Sequence, residues 1–99
     1  MMIHSDKCKE LGFPAPLSSE TQRGYVLRVI AKGHTLNTRV CRYIGIHNLH
    51  SIASSLANKR VVFTLRHGRA YCPFTRETPS LPVDIISMTP EQQSSHQKR

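Results

Sequence analysis

The spacing of apolar residues changes once along this chain, at Asn58, and that change limits the folds it can adopt. Before Asn58 the apolar residues recur at intervals of three and four, which is the period of an amphipathic helix. After it every second residue is apolar, which is the period of a strand with one buried face. We therefore expect helices followed by strands, an α+β fold, in a chain whose 99 residues suffice for one domain at most.

The first helix is predicted over about residues 20–32. Ser19 can cap its start, and Gln22 stands three residues later, where it can complete a capping box. Gly33 follows the last apolar position, in the place that a helix C-terminus favours.

Two more helices are predicted around a glycine turn. Asn37 can cap a short second helix that must stop by Gly45, and Cys41 is small enough for a close helix crossing. Ile46 then re-enters the core, and a third helix should run over about residues 47–58. The apolar positions of this third helix are Leu49, Ile52, Ala53 and Leu56.

A two-stranded hairpin is predicted over residues 61–74. His67-Gly68 fits a two-residue turn, in which glycine supplies the positive φ. That turn places apolar pairs on one face and polar pairs on the other, and a one-residue slip would destroy the agreement. The predicted pairs are Leu65 with Ala70, Phe63 with Cys72, Val61 with Phe74, Thr64 with Tyr71, and Arg66 with Arg69.

Composition divides the chain into three parts. Residues 1–17 form a predicted N-terminal arm, docked through Leu11 and Phe13, and residues 18–76 hold the helices and the hairpin. Residues 77–99 are rich in proline and polar residues, and we expect a largely flexible tail. Some residues of this tail are too apolar for a pure linker, so they could cover the domain or meet a second subunit. These residues are Leu81, Val83, Ile85, Ile86 and Met88.

The distribution of charge indicates the kind of partner. From Thr21 to Arg76 the chain has no Asp or Glu, but it has ten Lys or Arg. A domain without anions of its own repels itself, and a polyphosphate backbone is the commonest partner that would offset this repulsion. The same stretch offers no carboxylate as base, nucleophile or metal ligand. We therefore expect a binding protein rather than an enzyme, with no cofactor.

The predicted order of elements is that of a winged helix-turn-helix: three helices followed by a two-stranded β-hairpin wing. The run from Leu36 to Leu49 and its continuation into the hairpin resemble the small helix-turn-helix DNA-binding domains of phage and mobile-element proteins. The residues that carry the resemblance are Asn37 and Thr38 at the short helix, Gly45-Ile46 at the turn, Leu49 and Ile52 in the third helix, and Tyr71 in the wing.

The resemblance has one departure, at the end of the third helix. Such domains often have a Leu-Arg-x-x-Gly segment there, whereas this chain has Leu56-Ala57-Asn58-Lys59-Arg60. We expect Asn58 to take the left-handed conformation of the missing glycine, since asparagine tolerates it. The resemblance implies DNA binding, with a role in regulation or in the control of recombination.

The third helix should present short polar side chains opposite its core, and such side chains can reach base edges. Basic residues around it should contact the phosphate backbone. In the predicted hairpin Arg66 and Arg69 repel each other, and a phosphate would offset that repulsion. The candidate base contacts are His47, Asn48, His50, Ser51, Ser54 and Ser55. The candidate backbone and wing contacts are Thr38, Arg39, Arg42, Lys59, Arg60, Arg66, His67 and Arg69.

The sequence thus predicts a sequence-specific double-stranded DNA-binding protein, either a regulator of transcription or a recombination or excision factor. A homodimer that binds two half-sites would be usual for this class. The alternative is a protein-binding module, such as a phage-borne inhibitor that offers the same basic surface to a protein. A third hypothesis is a metalloenzyme with a site on His47 and His50 and on Cys41 or Cys72. Both cysteines are expected to face inward, so we predict no metal.

Location and other ligands are predicted from what the sequence lacks. No apolar run approaches the length of a membrane span, and no apolar run follows the initial methionines as in a signal peptide. Three cysteines without a CxxC motif are typical of a reducing compartment. We therefore expect a cytoplasmic protein with no membrane contact and no small-molecule substrate.

Overall fold

The computed structural model describes residues 3–97, and within them it has an α+β fold of five helices and a three-stranded antiparallel sheet. The α+β class is therefore confirmed. In chain order the elements are α1 (Ser5–Glu10), α2 (Gln22–Ala31), β1 (Leu36–Asn37), α3 (Thr38–Tyr43), α4 (Leu49–Asn58), β2 (Thr64–Gly68), β3 (Val83–Ser87) and α5 (Pro90–Gln97).

Helix α2 is the first predicted helix, but a different residue caps it. Thr21 is the N-cap, and its Oγ1 accepts a hydrogen bond from the Gly24 N–H at 3.0 Å. The predicted cap at Ser19 is wrong, because the helix begins after Thr21. Gly33 follows the helix with φ +97°, a conformation that glycine adopts without strain.

Helices α3 and α4 meet at the predicted glycine turn. The Asn37 Oδ1 caps α3 by accepting a hydrogen bond from the Val40 N–H at 2.9 Å. Gly45 has φ +102°, and both Cys41 and Ile46 are fully buried beside the turn. The apolar face of α4 is buried as predicted, through Leu49, Ile52, Ala53 and Leu56.

The two ends of α4 differ from the prediction. The helix begins at Leu49, so His47 and Asn48 precede it. Asn58 is its last helical residue, and Arg60 has the positive φ, +61°. The prediction for Asn58 is wrong because the helix ends in a Schellman motif whose left-handed residue lies two positions further on, at Arg60. The N–H groups of the two residues after the cap donate there, from Arg60 to the Ala57 carbonyl at 3.0 Å and from Val61 to the Leu56 carbonyl at 3.1 Å.

The predicted hairpin over residues 61–74 is wrong. Strand β2 ends at Gly68 and pairs with β3, and the residues between the two strands form a loop, residues 69–82, which we call the β2–β3 loop. The predicted repulsion between Arg66 and Arg69 across a hairpin therefore does not arise. The observed pairs are Thr64 with Ser87, Leu65 with Ile86, Arg66 with Ile85, His67 with Asp84, and Gly68 with Val83.

Strand β3 is the centre of the sheet, in the order β1-β3-β2. Ile86 is fully buried, with Leu36 of β1 and Leu65 of β2 as its partners on either side. A boundary at residue 76 would separate β2 from its partner, so residues 83–88 belong to the core and not to a tail. Because Ile85, Ile86 and Met88 are buried within the chain, they cover its core and are not available to meet a second subunit.

The N-terminal arm packs against the same core. Ile3 is buried, and Leu11 and Phe13 pack on the core cluster, as predicted. The Tyr25 hydroxyl of α2 donates a hydrogen bond to the Pro14 carbonyl at 2.7 Å, which fixes the arm to the helix. Among the helices in residues 3–97, none combines the length and apolarity that crossing a bilayer requires.

Candidate nucleic-acid interface

Helix α4 has one side in the core and the opposite side in solvent. The solvent side has short polar side chains that can donate and accept hydrogen bonds. His47 and Asn48 are exposed just before the helix and extend this surface. We call this surface the α4 face; its residues are His47, Asn48, His50, Ser51, Ser54 and Asn58. The face contains all but one of the residues predicted to contact bases.

Ser55, the remaining predicted base contact, lies at one margin of the α4 face. It is half-buried, and its Oγ accepts a hydrogen bond from the Arg23 guanidinium at 2.9 Å. Arg23 is an exposed residue of the first turn of α2. Sequence reasoning missed Arg23, because periodicity does not show which residues of α2 meet α4. The hydrogen bond places a cation at this margin. It also gives the Ser55 hydroxyl a partner within the protein.

A groove of about 400 Å³ lies at the other margin, between α4 and β2. Its walls combine small side chains of the helix with apolar side chains that precede and enter the strand. About half of the surface of Val62 and Leu65 is exposed here. The groove is lined by His50, Ala53, Ser54, Ala57, Val61, Val62, Phe63 and Leu65. The apolar surface beside the α4 face could therefore contact the flat or methylated part of a ligand.

One carboxylate borders the α4 face, and it comes from the central strand. The Asp84 Oδ1 lies 2.9 Å from His67 Nδ1 of β2, and its Oδ2 lies 3.4 Å from His50 Nδ1 of α4. The side chain of Asp84 is 16% exposed, whereas those of His50 and His67 are 82% and 68% exposed. Sequence reasoning missed this cluster because it assigned Asp84 to the tail. The carboxylate thus lies beside a histidine of the first turn of α4 and a histidine of the edge strand β2.

Two residues predicted to contact phosphates also bind main-chain carbonyls of the β2–β3 loop. The Arg39 guanidinium on α3 donates to the Leu81 carbonyl at 3.3 Å. Arg69 donates to the carbonyls of Thr78 and Pro79 at 3.2 and 3.4 Å. Since these groups bind main-chain oxygens, both arginines brace the loop, while their charges still add to the positive potential of the surface.

The other predicted backbone contacts lie on α3, on β2 and in the segment that follows α4. Arg42 on α3 and Arg66 on β2 are exposed, as are Lys59 and Arg60 after α4. Thr38 is half-buried, and its hydroxyl donates to the Asp84 main-chain carbonyl at 3.5 Å, so it belongs to the scaffold. Exposed cations therefore lie on α3, on β2 and in the segment that follows α4.

The arrangement of cysteines and histidines does not support a metal site. Cys41 and Cys72 are buried, whereas His47 and His50 are exposed on the α4 face. Burial raises the pKa of the Cys41 thiol to about 12. In residues 3–97 no group of three or more His, Cys, Asp or Glu side chains is placed to hold an ion.

Comparisons of the chain with protein-family models, with curated proteins and with solved structures found no match. The resemblance to small helix-turn-helix domains is therefore carried by the motif residues alone. The geometry and charge of the α4 face and its surroundings are therefore the features that indicate a function.

Proposed function

We propose that this protein is a winged helix-turn-helix protein that binds double-stranded DNA with sequence preference. In this proposal α3 and α4 form the helix-turn-helix around Gly45, and β2, β3 and the loop between them form the wing. The order helix, strand, helix, helix, strand, strand supports the assignment, because it leaves α4 beside the wing with one side free. In the helix-turn-helix class the second helix of the pair enters the major groove.

The observation that carries the proposal is the character of the α4 face. Solvated helix faces usually have Lys and Glu, but here Ser51 and Ser54 lie at its centre and His50 at its edge. Serine hydroxyls can donate to or accept from either base of a pair. The Asn48 amide can accept a hydrogen bond from the N6 amino group of adenine and donate one to its N7. Short side chains also let the helix approach the floor of the groove closely.

The cations that flank the α4 face supply the phosphate contacts in this proposal. Arg23 of α2 lies at one margin, beside Ser55. Arg42 on α3 and Arg66 on β2 are exposed on the neighbouring elements. Each phosphate neutralised by an arginine releases counterions, so the affinity should fall steeply with salt.

Selection from a random duplex library tests this proposal, followed by fluorescence anisotropy with the enriched and scrambled duplexes. We expect the protein to enrich defined sequences. Ser51→Ala and Ser54→Ala should each lose roughly tenfold of the preference for the enriched duplex over the scrambled one. The matched control is Ser94→Ala, which removes the same hydroxyl from an exposed position of α5. Failure to enrich any duplex, or equal effects of all three variants, would overturn the proposal.

Regulation of transcription and a recombination or excision step are the roles that such an activity would serve. We propose that the protein acts as a homodimer, since dimers of this class bind half-sites about one helical turn apart. Enriched duplexes should then contain an inverted repeat. A single unrepeated motif, together with a monomeric mass in light scattering, would contradict the dimer.

A protein partner is the second candidate, favoured by exposed apolar side chains on the β2–β3 loop. Phe74 is 61% exposed and Leu81 is 72% exposed. Side chains of this kind are typical of protein contacts rather than of phosphate contacts. Capture of a single protein from a lysate, lost in Phe74→Ala and unaffected by Ser51→Ala, would support this candidate over DNA.

A further inference from the structure

We propose that Asp84 is a positioning residue for DNA contact: its carboxylate lies beside Nδ1 of both His50 and His67 and favours rings with Nδ1 inward and Nε2 outward. The DNA half of this inference rests on the proposed function, whereas the orientation of the rings does not. The observation behind it is that one carboxylate faces the same ring nitrogen of two histidines from different elements.

The protonation state follows from the chemistry of a carboxylate. An ionised carboxylate only accepts hydrogen bonds, so a ring nitrogen that faces it is favoured as N–H. Both distances, 2.9 Å for His67 and 3.4 Å for His50, join an oxygen to Nδ1. In a neutral imidazole the proton then lies on Nδ1, and Nε2 keeps its lone pair. A free imidazole in water favours the opposite tautomer, so Asp84 would reverse the ordinary preference.

The scaffold fixes the position of the carboxylate. Asp84 lies in the central strand, opposite His67 in the sheet register, and its main-chain carbonyl accepts a hydrogen bond from Thr38. Its side chain is mostly buried, while both imidazoles are mostly exposed. The inner ring nitrogens therefore meet a carboxylate on a rigid element, and the outer part of each ring reaches solvent beside the α4 face.

This arrangement decides what the two histidines can contact. In a neutral imidazole that is protonated at Nδ1, the unprotonated Nε2 can only accept a hydrogen bond. It therefore does not bind a phosphate oxygen, which is also an acceptor. In the major groove it can accept from the N6 amino group of adenine or the N4 amino group of cytosine. We therefore assign His50, and also His67, to base amino groups, although the sequence predicted a backbone contact for His67. Asp84 would thus act on sequence preference without touching DNA.

The orientation is tested by ¹⁵N NMR of the imidazole rings in the free protein, at a pH where they are neutral. The test variant is Asp84→Asn, and the matched control is Glu91→Gln, which changes the net charge equally at an exposed position on α5. Wild type and control should show His50 and His67 protonated at Nδ1, and Asp84→Asn should shift both toward Nε2–H. Wild-type rings protonated at Nε2, or spectra unchanged in Asp84→Asn, would overturn the inference.

The effect on preference is tested by repeating the duplex selection with Asp84→Asn. We expect it to lose roughly tenfold of the preference for adenine or cytosine at one or two positions, while Glu91→Gln keeps the wild-type sequence. His50→Gln should lose the same preference at one of those positions, which keeps the test valid if Asp84→Asn proves unfolded by circular dichroism. Unchanged enriched sequences in both variants would refute the role in preference. A wild-type protein that enriches no duplex would refute the proposed function instead, and the spectra alone would then decide the orientation.

Discussion

Replacing Ile86 tests whether β3 is the structural centre of this protein. Ile86→Ala removes three carbon atoms from a fully buried side chain between β1 and β2. At about 0.8 kcal/mol per methylene, the lost burial alone amounts to about 2.4 kcal/mol. The cavity left in a sheet held on both sides adds to this, so we expect a loss of about 3–4 kcal/mol in the free energy of unfolding. That loss would lower the melting temperature by roughly 12–30 °C.

The assay is urea denaturation followed by circular dichroism, with Leu81→Ala as the matched control. Leu81 lies in the same C-terminal segment, but it is 72% exposed, so its truncation should change stability by less than about 0.5 kcal/mol. The m-value should stay constant, because both variants expose nearly the same surface on unfolding. Equal stabilities of the two variants would show that β3 is not part of the core, and the assignment of the wing would fail with it.

The remaining predictions concern the ion pair at the start of α2, the turn and the charged surface. Hydrogen bonds from the Arg28 guanidinium hold the pKa of Glu20 below its usual value of 4.5. A lowered pKa stabilises the folded protein above the unfolded value, so this contribution should disappear as the pH falls below about 4.5. Glu20→Gln should therefore cost about 1–2 kcal/mol in urea near neutral pH and nearly nothing at strongly acid pH; an equal cost at both would contradict this account. Gly45→Ala places a side chain at φ +102° and should cost about 1–3 kcal/mol in the same assay, whereas an unchanged midpoint would show that the turn is not strained. Arg66→Ala should weaken binding to all duplexes alike and reduce the slope of log affinity against log salt by about 1; a change in sequence preference would instead place Arg66 on a base.

The helices around the glycine turn could be predicted because their determinants are local. Asn37 caps α3 through the N–H three residues later, and Gly33 and Gly45 adopt positive φ directly after helical segments. The α4 face follows from the same periodicity, since burying Leu49 and Ile52 turns the intervening residues outward. These features need no knowledge of distant contacts.

The partner of β2 could not be predicted, because the strand pairing is not local. Residues 69–74 show the alternation of apolar and polar residues that a partner of β2 would need. The sequence therefore predicts a hairpin between these two neighbouring segments. The actual partner is β3, whose buried Ile85 and Ile86 lie beyond the β2–β3 loop. Gly68 does not adopt the positive φ that the predicted turn needed. Local alternation therefore identified a strand but not its partner.

The contacts of Arg23 and Asp84 at the candidate site could not be predicted for the same physical reason. Arg23 reaches Ser55 only because α2 packs against α4, and Asp84 reaches His50 and His67 only because β3 is the central strand. Both contacts depend on packing between elements far apart in the sequence. A charge count could have drawn attention to Asp84, as one of only six acids in the chain, but not to its neighbours.

The most direct test of DNA binding through the α4 face is an NMR titration of the backbone amides with the enriched duplex. We expect the largest shifts and line broadening at Ser51, Ser54 and Arg66, with little change at Ser94, an exposed residue of α5. Perturbations confined to α5 or to the N-terminal arm, or no perturbation at a saturating duplex concentration, would contradict it.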